Sequence, residues 1–564
     1  MLQINTGKLF VREPEYINKL RGVLYSNLQL IGIEEIETEA GTLLSAGSSA
    51  RNSAIVYELT ERIERRSDGP GVLLSHCVEP YAQDFAVVVS FALNVLCTTD
   101  FETTERLSSG RAGPSNRYPP RQLVRRFFDE KIVSQKDDVD QLTRFVEQLL
   151  ALERKSFLGA MRAMRTYVVA LHRIADDLEL AYTLLVASIE SLAQTFDSHE
   201  AVWDDIDDSK RCNVDKALAD APEHVAQRVR SAILQSEHVK LARRFRNFTL
   251  SLIDPSYFRM EAPIEPESIG RRDLTQAIDK AYKLRSAYVH MLLPLPWTLS
   301  VDNSYRESSL EDGVPTLTFQ GLTRLVRHVI FNFVQRQPKT ERELYDYSLE
   351  RSGVVLARLA PQYWVGRIDE MTPDVGMQKF EGFLEQITAH LLRTKDAPIT
   401  DLRDVLRTIA PKFPSLRTDE RIPFLGLFYC FDYFVRREDR MNENLAMWQK
   451  FAGELNAASS VSIFVHLLLD RVPHWPLEEH EQTLESYFRS RSKRQGLRAP
   501  PTLEAAAFLV LAERYRSDGD WPKAKVHVAN AVDNLPSHAS LRKFETMFNG
   551  AEFIRWQAIL LPAT

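Results

Sequence analysis

The chain has 564 residues, 44% of them hydrophobic and 26% charged, a composition that can bury several cores and excludes a disordered polymer. Its net charge of −6 excludes a globally basic nucleic-acid binder, so any RNA site must be a local basic surface. Cys77, Cys97, Cys212 and Cys430 are far apart in sequence, forming neither a CxxC pair nor a disulfide framework, which fits a reducing compartment.

The N-terminus lacks the basic-then-apolar order of a signal peptide, and the longest apolar run, Phe85 to Cys97, is too short to span a membrane. The expectation is a cytoplasmic protein without a membrane partner. Lys8 to Val11, Ala54 to Leu59 and Gly71 to Val78 lean towards strand, the last after the turn signal Asp68-Gly69-Pro70-Gly71. Pro80 opens an apolar helix through Cys97. Residues 1–135 are therefore a mixed α+β domain, closed by a Gly/Ser/Pro-rich loop or linker at Ser108 to Pro120.

From about 138 the pattern turns helical, and a bundle is expected over 138–338. Asp140 to Leu171 carries Leu142, Phe145, Leu149, Leu152, Met161, Met164 and Val168 at helical spacing. Asp176 to Phe196 is a second helix, followed by the polar stretch Asp197 to Asp220 and shorter helices near Glu223 to Leu234 and His238 to Ile253. A strong helix runs from Arg272 to Leu292, where Pro294 and Pro296 stop it, and another begins after Pro315. Beyond 340 the chain is helical with short connections. Phe508, Leu511, Ala512, Tyr515, Ala524, Val528, Ala531 and Pro536 occupy positions that resemble a tetratricopeptide repeat. One repeat cannot bury its own faces, so 340–564 is expected to be a helical solenoid. The fold class is mainly α, with a mixed N-terminal domain, a central bundle and a C-terminal α-solenoid.

The segment that carries chemistry begins at Ala281 and reads AYKLRSAYVHM. His290 is the one histidine in the chain with an arginine, Arg285, five positions before it. On spacing alone an arginine and a histidine near a helix end read as a surface charge and a dipole partner. Tyr282, Arg285, Ser286, Val289 and His290 together resemble the R-x4-H signature of the HEPN domains, in their Apea-like branch. Leu185 to Gln194 (LVASIESLAQ), with Glu190 in the acidic position, resembles that branch's acidic helix. Leu317 to Phe333 resembles its closing helix. A glycine often follows the histidine in that branch; Met291 stands here instead.

The resemblance implies a metal-independent endoribonuclease that needs no cofactor and no metal, acts on RNA and works as a homodimer. The 2′-OH of RNA attacks the adjacent phosphate, which requires a base, an acid and positive charge on the phosphorane. Histidine transfers protons near neutral pH, and arginine presents a planar fork to phosphate oxygens. Residues five apart on a helix point about 140° away from each other, so two such helices facing across a dyad would supply one site. Ser286 reads equally as a phosphate contact or a polar helix residue, and Glu190 as an orienting carboxylate or an exposed charge. Tyr282 and Tyr288 read as stacking platforms or core residues. Lys240, Arg243, Arg244 and Arg246 (in KLARRFR) and Arg271 with Arg272 would track an RNA backbone or form a solvated face.

The family further implies a bacterial anti-phage defence or toxin effector. The N-terminal domain would then be a sensor, and the solenoid a platform for a protein partner. The competing reading is a non-catalytic interaction or nucleotide-binding scaffold. Arg125-Arg126 before Phe127-Phe128 read as side chains that snorkel around a buried contact. His474, Trp475, Glu478, Glu479 and His480 lack the spacing of a metal cluster on one helix face and read as a surface loop entering a helix. No P-loop, H-E-x-x-H helix or G-x-S-x-G elbow is present.

Overall fold

Alternation of side chains builds the first element. In Ser53–Glu64 (β4), Ile55, Tyr57, Leu59 and Ile63 are buried while the residues between them face outward, apart from Glu61, which is also buried. The computed structural model describes residues 1–564 except 13, 49–51, 65–76, 114–116, 198–202, 204–207, 237–240, 351–358, 370–371, 373–374, 395–396, 494–495 and 563–564. Strand β4 pairs with Pro14–Ser26 (β1) and Gly41–Ser48 (β3), and β3 pairs with Glu35–Thr38 (β2). Cys97–Thr98 (β5) completes a sheet of order β2-β3-β4-β1-β5 with antiparallel neighbours throughout. The expected strand at Ala54 to Leu59 lies within β4. Lys8 to Val11 is turn rather than strand, and most of Gly71 to Val78 lies outside the described residues.

Helix Glu79–Leu93 (α1) covers the sheet, stacking Phe85 on Tyr57 with ring centroids 4.8 Å apart. It stops before Cys97 because Asn94 takes a left-handed conformation, φ 53°. After Phe101–Ser108 (α2) come Lys136–Leu150 (α3), Arg154–Ile174 (α4), Leu178–Phe196 (α5), Asp208–Ala217 (α6), Glu223–Ser236 (α7), Leu241–Ser251 (α8) and Arg271–Met291 (α9). A hairpin of Ser308–Glu311 (β6) and Val314–Leu317 (β7) leads into Phe319–Arg336 (α10). The closing helix therefore starts two residues after Leu317, with Thr318 as its N-cap accepting from the Gly321 amide at 3.2 Å. Gly321 has to be small: a Cβ there would lie 2.1 Å from the Glu307 carbonyl oxygen.

The one helix expected over Asp140 to Leu171 is two, α3 and α4. The break exposes carbonyls that the far N-terminus satisfies. The Lys8 ammonium donates to the carbonyls of Leu150, Ala151 and Leu152 at 3.2, 2.8 and 2.5 Å, and the Gln3 amide donates to Leu150 and Leu152 at 3.1 and 2.6 Å. Burial pushes the Lys8 ammonium below its usual range.

The two regions expected at 1–135 and 138–338 share one hydrophobic core within a compact unit, Met1–Val355. Phe91 of α1 sits among Phe145 of α3, Tyr167 of α4 and Phe331 of α10, with centroids 5.5, 5.5 and 5.0 Å away. Residues after 338 also belong here: the buried Arg154 pairs with Glu350 at 2.5 Å, and the Tyr347 hydroxyl donates to Glu64 at 2.5 Å.

The second unit, Leu356–Thr564, is helical among its described residues. Its first α-helix among the described residues starts at 375 rather than near 340. The elements are Val375–Leu391 (α11), Arg403–Ile409 (α12), Thr418–Phe434 (α13), Leu445–Phe451 (α14), Ser460–Leu468 (α15), Leu477–Ser490 (α16), Pro501–Ser517 (α17), Trp521–Asn534 (α18), Ala539–Met547 (α19) and Trp556–Leu560 (α20). Its core packs Trp448 against Phe413 and Phe428. Phe508, Leu511, Ala512 and Tyr515 lie on α17, which packs against α18 carrying Ala524, Val528 and Ala531. Trp475 and His480 are buried rather than on a surface loop, His480 Nδ1 lying 3.0 Å from the Arg514 guanidinium. The protein is mainly helical, with an antiparallel sheet in its N-terminal region. No single described helix is long and apolar enough to cross a membrane.

Candidate functional site

Helix α9 is amphipathic. Leu274, Ala277, Ile278, Ala281 and Tyr282 recur at three- and four-residue spacing and are buried, and the two alanines let α5, α8 and β7 pack close. Facing it, α5 starts at a true cap: the Asp177 carboxylate accepts from the Leu180 amide at 2.9 Å. One turn past Tyr282, Arg285 projects towards α5 and meets Glu190. Arg285 Nη2 and Glu190 Oε2 are 2.5 Å apart, with the two side chains 19% and 5% exposed. The Tyr282 hydroxyl donates to Glu190 Oε1 at 3.3 Å, and its ring packs 5.4 Å from that of Phe245. The Arg285 guanidinium carbon lies 5.6 Å from the centre of the Tyr282 ring.

This triad is tightly held. Glu190 is a buried carboxylate rather than an exposed helix charge, and a buried carboxylate requires such a counter-ion. Burial, with the nearby Glu190 charge, pushes the Tyr282 phenol up to about 12, so it stays a hydrogen-bond donor. Tyr282 is a core residue and presents no free face for base stacking. Among the described residues, Arg285 Nε is buried without a hydrogen-bond partner.

His290 is exposed on the last turn of α9, and Ser286 and Tyr288 are half-buried. The Tyr288 phenol is raised by desolvation and by Asp177 and Glu179 at the start of α5. The helix continues through Met291, and the left-handed residue that ends it is Leu292, φ 52°, whose amide donates to Tyr288 at 2.8 Å. Val289, Met291, Leu292, Leu293 and Trp297 are all exposed, Leu292 by 75% and Trp297 by 72%. This apolar strip around His290 was not singled out in the sequence. The residues alternate with polar ones up to Met291, and the signal would have been the apolar run Met291-Leu292-Leu293 at a helix end stopped by prolines.

The basic residues divide. Arg244 lies 3.4 Å from Asp197, Arg246 pairs with Asp279 at 2.8 Å, and Arg243 is half-buried on the same helix α8. Lys240 lies outside the described residues. Arg271 and Arg272 are exposed at the start of α9. At ~1.5 Å of rise per residue, they are roughly 20 Å from Arg285 along the helix axis. The structure thus joins Glu190, Tyr282 and Arg285, with His290 and Ser286 on the adjoining turn, and sets Arg271 and Arg272 at the opposite helix end.

Gln194, four residues after Glu190, also reaches the Glu190 carboxylate, with its amide 3.5 Å away, and the i,i+4 spacing carried that signal. Among the described residues no three His, Cys, Asp or Glu side chains gather as a metal-binding group. Comparison with protein families, with curated proteins and with solved structures finds no match to this chain.

Proposed function

We propose that the protein is an endoribonuclease of HEPN type, in which His290 transfers protons and Arg285 stabilises the pentacoordinate phosphorane. The observation that carries this reading is the buried Glu190–Arg285 pair one turn from an exposed histidine. Glu190 would be a positioning residue that fixes the guanidinium, leaving Nη1 for phosphate. The 2′-OH gives its proton to one copy's His290, its oxygen bonds to phosphorus to form a cyclic phosphate as the bond from phosphorus to the 5′-oxygen breaks, and that oxygen leaves with a proton from His290 of the partner subunit. The exposed apolar strip from Val289 to Trp297 supports a homodimer: a second copy covering it would bring two Arg/His pairs to one seam. Stacking of α17 on α18 supports the repeat-like solenoid reading of the second unit, which would carry a protein partner. The cellular role in this reading is cytoplasmic growth arrest against phage.

Labelled RNA incubated with the full chain and EDTA tests the reading. Cleavage that persists in EDTA and is lost in His290→Ala supports it. Equal cleavage by both proteins removes His290 from the site, and no cleavage of transfer, messenger or ribosomal RNA leaves the scaffold reading. That second reading draws on Arg285 being already engaged by Glu190, an arrangement that also suits a structural dimer module.

A further inference from the structure

A cavity of about 380 Å³ lies in the first unit, lined by none of the residues of the candidate site. It opens where α1 ends against α10, and four arginines face it: Arg125, Arg126, Arg324 and Arg327. We propose that this cavity binds the phosphoryl group of a small phosphorylated molecule.

The end of α1 fixes two of the guanidiniums. Arg327 donates through Nε to the Phe91 carbonyl at 3.1 Å and through Nη2 to the Ala92 carbonyl at 3.0 Å. Arg126 donates through Nε to the Leu93 carbonyl at 3.3 Å and through Nη2 to Asp138 at 3.0 Å. Each keeps Nη1 uncommitted among the described residues. Among the described residues, the Arg125 side chain donates only through Nη1, to the Ile264 carbonyl at 2.8 Å. Three forks are therefore held by backbone or carboxylate contacts, each with donors left over.

The carboxylates lining the cavity already have partners. Asp138 takes Arg126 and the Gln135 amide, Glu261 takes His328 at 2.7 Å and Arg324 at 3.5 Å, and Glu265 accepts from Gln320 at 2.9 Å. Burial raises the Glu265 carboxyl above its usual range. Arg125 and Arg327 make no ion pair among the described residues. Arg327 lies against the rings of Phe91 and Phe331, 5.9 and 5.4 Å from their centres, and burial lowers its guanidinium from the usual range. Glu261 acts on Arg327 only from beyond ion-pair distance, and a half-buried cation so placed is stabilised by an anion that enters beside it.

The number of forks selects the ligand. Several planar guanidiniums around one small space match a group with more than one negative charge and several acceptor oxygens, which a phosphoryl group has and a single carboxylate lacks. A volume of 380 Å³ is at the small end of ligand sites and suits a phosphate or diphosphate moiety rather than a nucleic-acid strand. The ligand can be a free inorganic anion or the phosphate tail of a nucleotide.

Calorimetric titration of the full chain with inorganic pyrophosphate, ATP and glutarate tests this, with a readout independent of RNA cleavage. Pyrophosphate should bind, and Arg125→Gln, whose side chain is exposed and makes one backbone contact, should weaken it by about tenfold or more. Arg327→Met should weaken it at least as much; because Arg327 also caps α1, its thermal midpoint is measured alongside. Binding of pyrophosphate alone assigns a free anion, and binding of both phosphates assigns a nucleotide; either upholds the site. Absence of binding, equal affinity in wild type and Arg125→Gln, binding of ATP without pyrophosphate, or glutarate binding as tightly as pyrophosphate would each overturn it.

Discussion

Arg285 and His290 leave one helix in different directions: Arg285 turns inward onto the buried Glu190, and His290 stands in solvent on the final turn. Five residues of an ideal α-helix rotate a side chain by about 140° from its start, which accounts for one side chain meeting α5 and the other meeting solvent.

That divergence separates the two variants most often made at such a pair. Arg285→Ala leaves Glu190 charged and buried without its counter-ion, at a cost of about 3 kcal/mol or more. His290→Ala removes an exposed side chain and should change stability by about 0.5 kcal/mol or less. Urea unfolding checks both, and equal midpoints for the two variants would contradict the pairing. It follows that His290→Ala is the cleaner probe of activity.

Leu292 should respond to glycine in two opposed ways. Its left-handed backbone costs a residue with a Cβ about 1 kcal/mol, so Leu292→Gly should raise the stability of the monomer. The same change removes the most exposed apolar side chain of the strip beside His290, so any self-association should weaken. Thermal melts and analytical ultracentrifugation read the two effects separately.

Acid should loosen the second unit through His480. Burial and the Arg514 charge push this imidazole down to about 3, so the folded state refuses a proton that the unfolded chain takes near 6.5. Stability is full above pH 6.5 and falls as pH drops from there to about 3, by about 1 kcal/mol at pH 5.5 for this residue. His480→Gln should flatten that part of the pH profile of denaturant midpoints; an unchanged slope would remove His480 as the cause.

Lys8→Met should destabilise the first unit by about 2 kcal/mol, because the carbonyls of Leu150, Ala151 and Leu152 lose a shared charged donor. Hydrogen exchange of the amides around the junction of α3 and α4 should rise with it.

Much of the helical layout was legible because apolar spacing survives any tertiary context that buries one face. Helices α5, α8 and α9 and the end of α9 before Pro294 were all visible this way. The break between α3 and α4 was not, since residues 151–153 hold neither proline nor glycine and the groups that satisfy their carbonyls come from Gln3 and Lys8. The β6–β7 hairpin was legible in principle: Asp312 and Gly313 both have positive φ, 51° and 75°, the Asp-Gly turn that joins paired strands. In the site, the identity of Arg285, Glu190 and Tyr282 came from motif, but their pairing required the packing of α5 on α9. Arg244 and Arg246 looked like a basic face because their partners Asp197 and Asp279 lie on other elements.

Phe91 belongs by sequence to the sheet-bearing region, yet its ring is shared by three helices of the bundle. A chain cut near residue 136 would open an oily socket in one fragment and leave the aromatic plug on the other. Neither piece is then an interchangeable cassette: during synthesis α1 must wait for α10 to emerge, and any exchange of front ends between relatives would have to carry that plug and socket together.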